Sequence, residues 1–276
     1  MEIPIEDFSE DIIGKAMRGL GVDAKALIGR SGVSEQQLQA LLDGQLDEDA
    51  ILKVAPALEL HPGALLASAK KQWRPKPVNV PGLAAFNTPY HDMYVNAYLA
   101  WDENSRKAVA FDTGADLTEM LRTLHEQNLH LEAILLTHTH PDHVLELEKL
   151  RLTTGNPPVF VHRLEEFTGA DSFVEKHEWN FGTLHISALH TSGHSPGGTT
   201  YLVDGLTLPV AVVGDAMFAG SMGGGMHSYP DAVRNNREKL LTLPDNTVLC
   251  PGHGPLTTVG EEKLHNPFFP EFKHSA

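Results

Sequence analysis

The spacing of apolar residues changes near residue 75 and divides the chain into two parts. In the first part, apolar residues recur three and four positions apart, which is typical of amphipathic helices, and glycine or proline separates the periodic stretches. The predicted helices are residues 11–20, 23–31, 34–43, 47–58 and 62–70. We therefore predict a small all-α domain over residues 1–74, followed by a linker whose prolines oppose a helical conformation.

From about residue 80 onwards, short apolar runs alternate with helical patterns, which is typical of an α/β domain. The predicted strands are residues 94–101, 107–111, 133–136, 159–162, 184–189, 199–203, 210–213 and 247–249. The predicted helices between them are residues 117–127, 144–152 and 231–243. Residues 75–276 are therefore predicted to form one α/β domain.

Residues 24–44 and the helix that follows them resemble the helix-turn-helix of the phage-repressor (Cro/C1) type, which in that family binds DNA. The charge argues against this role, because residues 1–74 hold eight basic and twelve acidic residues. The helix at the recognition position contains Glu35 and Asp43 but no Lys or Arg, whereas a helix that contacts phosphates is normally basic. A docking module or a homo-oligomer contact is therefore preferred over a nucleic-acid partner.

The composition narrows the class of protein further. The 276-residue chain has a formal net charge of −15, which opposes binding to nucleic acid or to an anionic membrane surface. The single cysteine, Cys250, excludes an intrachain disulfide and is expected to pack in the core. The N-terminus lacks the pattern of a secretory signal, and no run approaches the roughly 18 apolar residues of a membrane span. We therefore expect a cytoplasmic protein.

The segment 137–143 holds three imidazoles and one carboxylate within six residues. Imidazole together with carboxylate is the ligand set that suits zinc, iron or manganese. An apolar run precedes the segment and a helical pattern follows it, so it is predicted to be a strand-to-helix turn in which Pro141 fixes the bend. The candidate metal ligands in this turn are His138, His140, Asp142 and His143.

Three further residues with metal-binding side chains follow apolar runs later in the chain, and each lies beside glycine or proline. They are His194, Asp215 and His253. Sharp turns at strand ends commonly present the functional residues of an α/β scaffold. One such residue would be a weak signal, but together with the first segment these three form an ordered series.

This series resembles the metallo-β-lactamase superfamily over most of residues 80–270, and it is most similar to the glyoxalase II branch. The resemblance implies an αββα sandwich, preceded here by the small all-α domain, and two divalent metal ions. Zinc is the first choice of metal, with iron or manganese as alternatives. The resemblance assigns His138, His140 and His194 to one metal, Asp142, His143 and His253 to the other, and Asp215 to both.

The activity that this resemblance implies is hydrolysis of a thioester or another activated acyl bond of a small molecule by a metal-bridging hydroxide. Asp142 and Asp215 are the candidate catalytic carboxylates. Lactone hydrolysis at the same site is an alternative, as is phosphodiester hydrolysis, which the net charge disfavours. A regulator that senses a ligand and binds DNA is the non-enzymatic alternative. Glutathione is not the expected leaving group, because no helical extension of the glyoxalase II kind follows residue 270.

Candidate residues around the ligands form two sets. Asp112 and His190 could accept hydrogen bonds from the metal-binding imidazoles, although hydrogen bonding within turns explains them equally well. His91, His227 and Tyr229 could reach a substrate from loops, with plain surface positions as the alternative. The segment 220–229 has four glycines and no charged residue, so as a pocket wall it would favour apolar or compact acyl groups.

Overall fold

The structure is a computed structural model that describes residues 3–273. Five helices occupy its N-terminal part: α1 (Ser9–Leu20), α2 (Ala24–Ser31), α3 (Glu35–Leu42), α4 (Glu48–Ala57) and α5 (Pro62–Ala69). The capping box that begins α3 is present, since Ser34 Oγ accepts from Gln37 N and Gln37 Oε1 accepts from Ser34 N. None of the helices within residues 3–273 is both long and apolar enough to cross a lipid bilayer.

Two six-stranded sheets follow, and the α/β class is confirmed. The first sheet contains, in spatial order, β1 (Leu83–Tyr90), β2 (Met93–Trp101), β3 (Lys107–Phe111), β4 (His130–Leu135), β5 (Val159–His162) and β6 (Asp171–Phe173). The second contains β7 (Glu178–Phe181), β8 (Leu184–His190), β9 (Thr199–Asp204), β10 (Val210–Gly214), β11 (Val248–Pro251) and β12 (Thr257–Thr258). The strands of the second sheet also lie in sequence order, from β7 at one edge to β12 at the other.

Helices cover the outer faces of both sheets. They are α6 (Thr118–Glu126), α7 (Pro141–Val144), α8 (Leu147–Thr153), α9 (Tyr229–Asn235) and α10 (Val259–His265), with a π-helical turn at Asn236–Leu240 and a 3₁₀ turn at Pro270–Phe272. The predicted helix over residues 144–152 is interrupted, because α7 ends at Val144 and α8 begins at Leu147. The core between the sheets includes Tyr98, Phe111, Tyr201 and Cys250. The order of layers is thus helix, sheet, sheet, helix.

The N-terminal helices share their core with the second sheet. Ile12, Ile13 and Leu65 belong to the same buried cluster as Val213 of β10 and Phe269 near the C-terminus. A hydrogen bond from His61 N to Pro267 O, 2.8 Å long, joins the two parts through the backbone. The predicted linker is also docked, since Trp73 Nε1 donates to Glu261 Oε2 at 3.0 Å and the Trp73 ring stacks on His265. The helical part therefore belongs to the outer layer of the sandwich.

Candidate metal centre

The first ligand segment lies where the sequence predicts it, on a strand-to-helix turn. β4 ends at Leu135, and α7 begins at Pro141 with Asp142 and His143 in its only turn. Thr137 fixes the start of the segment, because its backbone N–H and its hydroxyl both donate to Asp112 at 2.7 Å. The turn thus carries ligands on both sides of the Pro141 bend.

The other ligands are presented from the second sheet. His194 lies between β8 and β9, Asp215 directly follows β10, and His253 lies just after β11. β10 and β11 are parallel neighbours, so the carboxyl ends that carry Asp215 and His253 meet at the same edge of the sheet. Gly252 permits their close approach, since a Cβ atom there would lie 2.1 Å from Asp215 Oδ1.

The seven predicted ligands form two adjacent groups, and the ligand atoms of each group lie within 4.8 Å of one another. The first group is His138, His140, His194 and Asp215, and the second is Asp142, His143 and His253. Asp215 also borders the second group. Its carboxylate oxygens lie 3.3 Å from His194 Nε2, 3.4 Å from His143 Nε2 and 3.5 Å from His253 Nε2.

Four of the five imidazoles, all except that of His140, are held by the ring nitrogen that points away from the centre. His143 Nδ1 donates to Asp112 Oδ2 at 2.8 Å, His253 Nδ1 to Tyr94 O at 2.6 Å and His194 Nδ1 to Gly224 O at 3.0 Å. His138 Nδ1 lies 3.0 Å from Thr137 Oγ1, which itself donates to Asp112. Such contacts fix the tautomer and orientation of metal-binding histidines.

The atoms that face inward fit metal ions. His143 Nε2 and Asp215 Oδ1 are buried and have no hydrogen-bond partner within residues 3–273. Burying an unpartnered carboxylate oxygen and an unpartnered ring nitrogen is costly, and cations between the two groups would satisfy both atoms. The donor set of imidazole nitrogens and carboxylate oxygens is that of zinc, iron or manganese.

The electrostatics of the two groups differ. Burial lowers the pKa of His138 and that of His140, so both rings are neutral near pH 7, which is the metal-binding form. Burial also opposes charge on His143 and His253, but Asp215 outweighs it and raises their pKa values to about 10 and about 11. Burial acts against ionised Asp215 as well, yet the imidazoles of His253 and His143 hold its pKa well below the usual range. A metal ion binds the neutral form of an imidazole, so protons and metal compete for His143 and His253.

Asp112 supports both groups, as the sequence suggested. Its buried carboxylate accepts directly from His143 in one group and, through Thr137, orients His138 in the other. Its backbone φ is 55°, in the left-handed region where residues other than glycine are uncommon. The strained position and the three accepted hydrogen bonds make Asp112 a positioning residue for the whole centre.

Asp112→Asn is expected to weaken metal binding at both groups about 10- to 100-fold, the usual cost of losing a hydrogen-bonding partner of a metal-bound histidine. Metal retained after dialysis against graded chelator measures the effect. The matched control is Asp102→Asn, because Asp102 is another buried aspartate that accepts from Asn104, Ser105 and Thr183 in a distant hairpin turn. Equal metal retention by both variants would contradict the role of Asp112.

The remaining candidates have the following surroundings in the structure. His190, proposed as a second supporting residue, stacks on His162 at 4.3 Å, and its Nε2 contacts Pro196 O. His91 is exposed in the turn between β1 and β2, and His227 is exposed with its backbone N–H donating to Gly193 O. The ring of Tyr229 packs on Gly19 of α1. The rings of His190 and Tyr229 thus pack on residues other than the predicted metal ligands.

Sequence reasoning missed Glu165, a buried carboxylate that joins two ligand loops. Its Oε2 accepts from Thr139 Oγ1 at 2.7 Å, between His138 and His140, and its Oε1 accepts from Gly197 N at 2.7 Å, just beyond His194. The residues around Glu165 show no metal-ligand spacing and no turn signature that would have indicated this role.

A cavity of about 540 Å³ opens onto His194, Asp215 and His253. Gly224 and Met226 line it, as the position of their segment after Asp215 predicts. His91, His227 and Tyr229 do not line it within the described part of the chain. Its size is within the usual range for small-molecule sites.

Comparison with known proteins agrees with this geometry. The model of the Metallo-beta-lactamase superfamily matches residues 92–253. The probable metallo-hydrolase YqgX of Bacillus subtilis is 33% identical over 210 residues, which are 67% of this chain and 96% of that protein. The hydroxyacylglutathione hydrolase GloC of Haemophilus influenzae is 28% identical over 197 residues, 63% of this chain and 92% of that protein. The crystal structure of the BLEG-1 B3 metallo-beta-lactamase has a TM-score of 0.59 and 32% identity, covering 67% of this chain and 99% of that one.

Proposed function

The chain belongs to the metallo-beta-lactamase superfamily, and from this membership we propose that it uses two divalent metal ions to hydrolyse a thioester or another activated acyl bond. The observation that carries the proposal is the place of Asp215, whose carboxylate lies within 3.5 Å of imidazole nitrogens from both ligand groups. A carboxylate shared in this way suits a two-metal centre, because its negative charge offsets the repulsion between two close cations.

When bound, the two metals would supply Lewis acidity and a water molecule of lowered pKa. The residues of the chain supply the rest of the site. Hydrogen bonds to Asp112 and Glu165 fix the positions of the loops that carry the ligands. Within the second group, the Asp142 carboxylate lies 3.4 Å from His253 Nε2. Cys250 is no candidate nucleophile, because it is buried between the sheets and burial raises the pKa of its thiol. The proposed reaction adds water across the acyl–sulfur bond and yields a carboxylic acid and a thiol.

The thioester is preferred among acyl substrates on the strength of similarity. GloC, whose name denotes an acylglutathione substrate, resembles this chain over 92% of its own length. Zinc remains the first choice of metal, with iron and manganese as alternatives, since the ligand set accepts all three. Contact between copies of the chain through the N-terminal helices stays a prediction.

Elemental analysis and a hydrolysis panel on the same preparation test the proposal. We expect two metal ions per chain and turnover of thioesters that is lost with chelator and regained with added metal. Lactones, β-lactams and phosphodiesters complete the panel. Turnover of phosphodiesters alone, or thioester hydrolysis that survives full metal removal, would overturn the proposal.

The regulatory alternative has its own test. A mobility-shift assay with the full chain at low salt should show no retarded DNA, because the helix at the recognition position has no basic residue. Salt-sensitive binding to duplex DNA would favour the regulator instead.

A further inference from the structure

One wall of the cavity at the metal centre comes from helix α1 instead of the sandwich. Lys15, Arg18 and Gly19 of this helix line the same space as His194 and Asp215. The family model begins at residue 92, so this wall lies outside the part of the chain that the family model matches. The N-terminal helices therefore help to shape the space in which a substrate must lie.

The two basic residues of this wall differ in their surroundings. The Lys15 ammonium is paired with Asp7, donates to Met222 O at 3.0 Å and lies 4.9 Å from the centre of the Phe218 ring. Asp7 in turn accepts from Ser221 Oγ at 2.6 Å. The charge of Lys15 is therefore paired within the protein, and these contacts hold α1 against the loop that follows β10.

Arg18 has no comparable partner among the residues that the structure describes. It lies three residues beyond Lys15 on the same face of α1, and it is exposed to solvent. No carboxylate and no hydrogen-bond acceptor within residues 3–273 contacts its guanidinium. Among residues 3–273, the cavity is thus lined by one paired cation, Lys15, and one without a pairing partner, Arg18, in a chain whose net charge is −15.

We propose that Arg18 is a specificity residue that binds a carboxylate at the end of the substrate remote from the scissile acyl bond. This inference rests on the proposed acyl hydrolysis. A guanidinium pairs with a carboxylate through two parallel hydrogen bonds, and the cavity is large enough for a molecule that spans from Arg18 to the ligands. Glu6 and Asp7 also line the cavity, so a dianionic phosphate would be repelled more strongly than a carboxylate.

This assignment changes the expectation that arose from the segment 220–229. That segment is uncharged, and a pocket made of it alone would favour neutral acyl groups. Helix α1 adds the cation that the segment lacks, so the selected substrate carries a negative charge.

The test uses matched thioesters and the full chain loaded with metal. S-acetyl-3-mercaptopropionate and S-acetyl-6-mercaptohexanoate are each compared with the corresponding neutral amide, so that two lengths are sampled. Arg18→Ala should raise KM for the better carboxylate substrate about tenfold, equivalent to about 1.4 kcal/mol, and leave kcat within about twofold. The amides should change by less than about twofold, and Arg18→Glu should remove the preference for the carboxylate altogether.

Arg30→Ala is the matched control, because Arg30 is an exposed basic residue in the last turn of α2, as Arg18 is in α1. It should leave every substrate unchanged. An equal loss on carboxylate and amide would mean that Arg18 acts only through the fold, and no change on either would mean that it does not meet the substrate. A third thioester of the same length carries a phosphate at the remote end instead of the carboxylate. A stronger effect of Arg18→Ala on this phosphate substrate than on the carboxylate substrate would show that phosphate is the recognised group. Each of these results overturns the proposal.

A binding measurement separates this inference from the hydrolytic function. If the wild-type chain hydrolyses no thioester, calorimetry with 6-mercaptohexanoate and its amide still compares the two end groups. Tighter binding of the carboxylate that is lost in Arg18→Ala would support the role of Arg18 even though the hydrolytic proposal had failed. Equal affinities for carboxylate and amide in the wild-type chain would overturn it.

Discussion

Asp215→Ala is expected to lower turnover by several orders of magnitude and to reduce the metal content below two ions per chain. Its carboxylate borders both ligand sets, and its removal leaves Asp142, which lies beside His143 and His253, as the remaining carboxylate of the two sets. Two cations held close together would then repel each other with less compensation. Elemental analysis and thioester turnover of the same sample measure both effects.

The matched control is Asp204→Ala. Asp204 ends β9 as an exposed residue on the strand next to β10, so its loss removes one negative charge from the same sheet without touching the ligands. That variant should keep both metals and its full rate. An Asp215→Ala protein that also kept both metals and its rate would contradict the two-metal assignment.

Deleting residues 1–73 should prevent the remaining chain from folding stably. The buried cluster that contains Ile12, Ile13 and Leu65 also contains Val213 and Leu249 on the outer face of the second sheet, so the deletion removes packing from that face. Each large apolar side chain contributes about 1.5–3 kcal/mol when buried, and a domain has only about 5–15 kcal/mol in total. Loss of several such contacts is comparable to that margin. Urea unfolding, followed by circular dichroism, should show no cooperative transition in the shortened chain.

Smaller changes probe the same interface. At Gly19 a Cβ atom would lie 2.1 Å from the Tyr229 ring, so Gly19→Ala must push α1 and α9 apart and should destabilise the protein. Gly29 lies in open space on α2, and there alanine should stabilise by about 1 kcal/mol through helix propensity. A shortened chain that unfolds cooperatively and holds two metals would show instead that the division at residue 74 marks a separable domain.

Sequence reasoning identified the residues of the two groups because their signals are local. His138 to His143 share one turn, and Asp215 and His253 each stand beside glycine or proline after an apolar run. Glu165 lacks such a signal, because its partners Thr139 and Gly197 are 26 and 32 residues away. Only the packed sandwich brings these loops together.

Contacts between residues distant in sequence also decide what helix α1 packs against and where the edge strand β1 forms, and the sequence pattern does not show them. The periodicity of α1 predicts an apolar face, but periodicity does not say which surface that face will cover, and here the neighbours of α1 are mainly α3 and α5, with α9 beside them. β1 escaped prediction because its residues show no regular alternation of buried and exposed positions. His190 was a candidate because it lies near His194 in sequence, whereas its ring faces His162.

The core that the N-terminal helices share with the second sheet affects the order in which parts of the nascent chain can fold. Ile12 is synthesised about 250 residues before Phe269, which belongs to the same buried cluster. At roughly 5–20 residues per second, that interval lasts tens of seconds, during which α1 can pack on α3 and α5 but the cluster is not complete. The cluster around α1 is thus completed only after the second sheet and the segment near Phe269 have been made. Through that interval the contacts of α1 with α3 and α5 cover part of its apolar face.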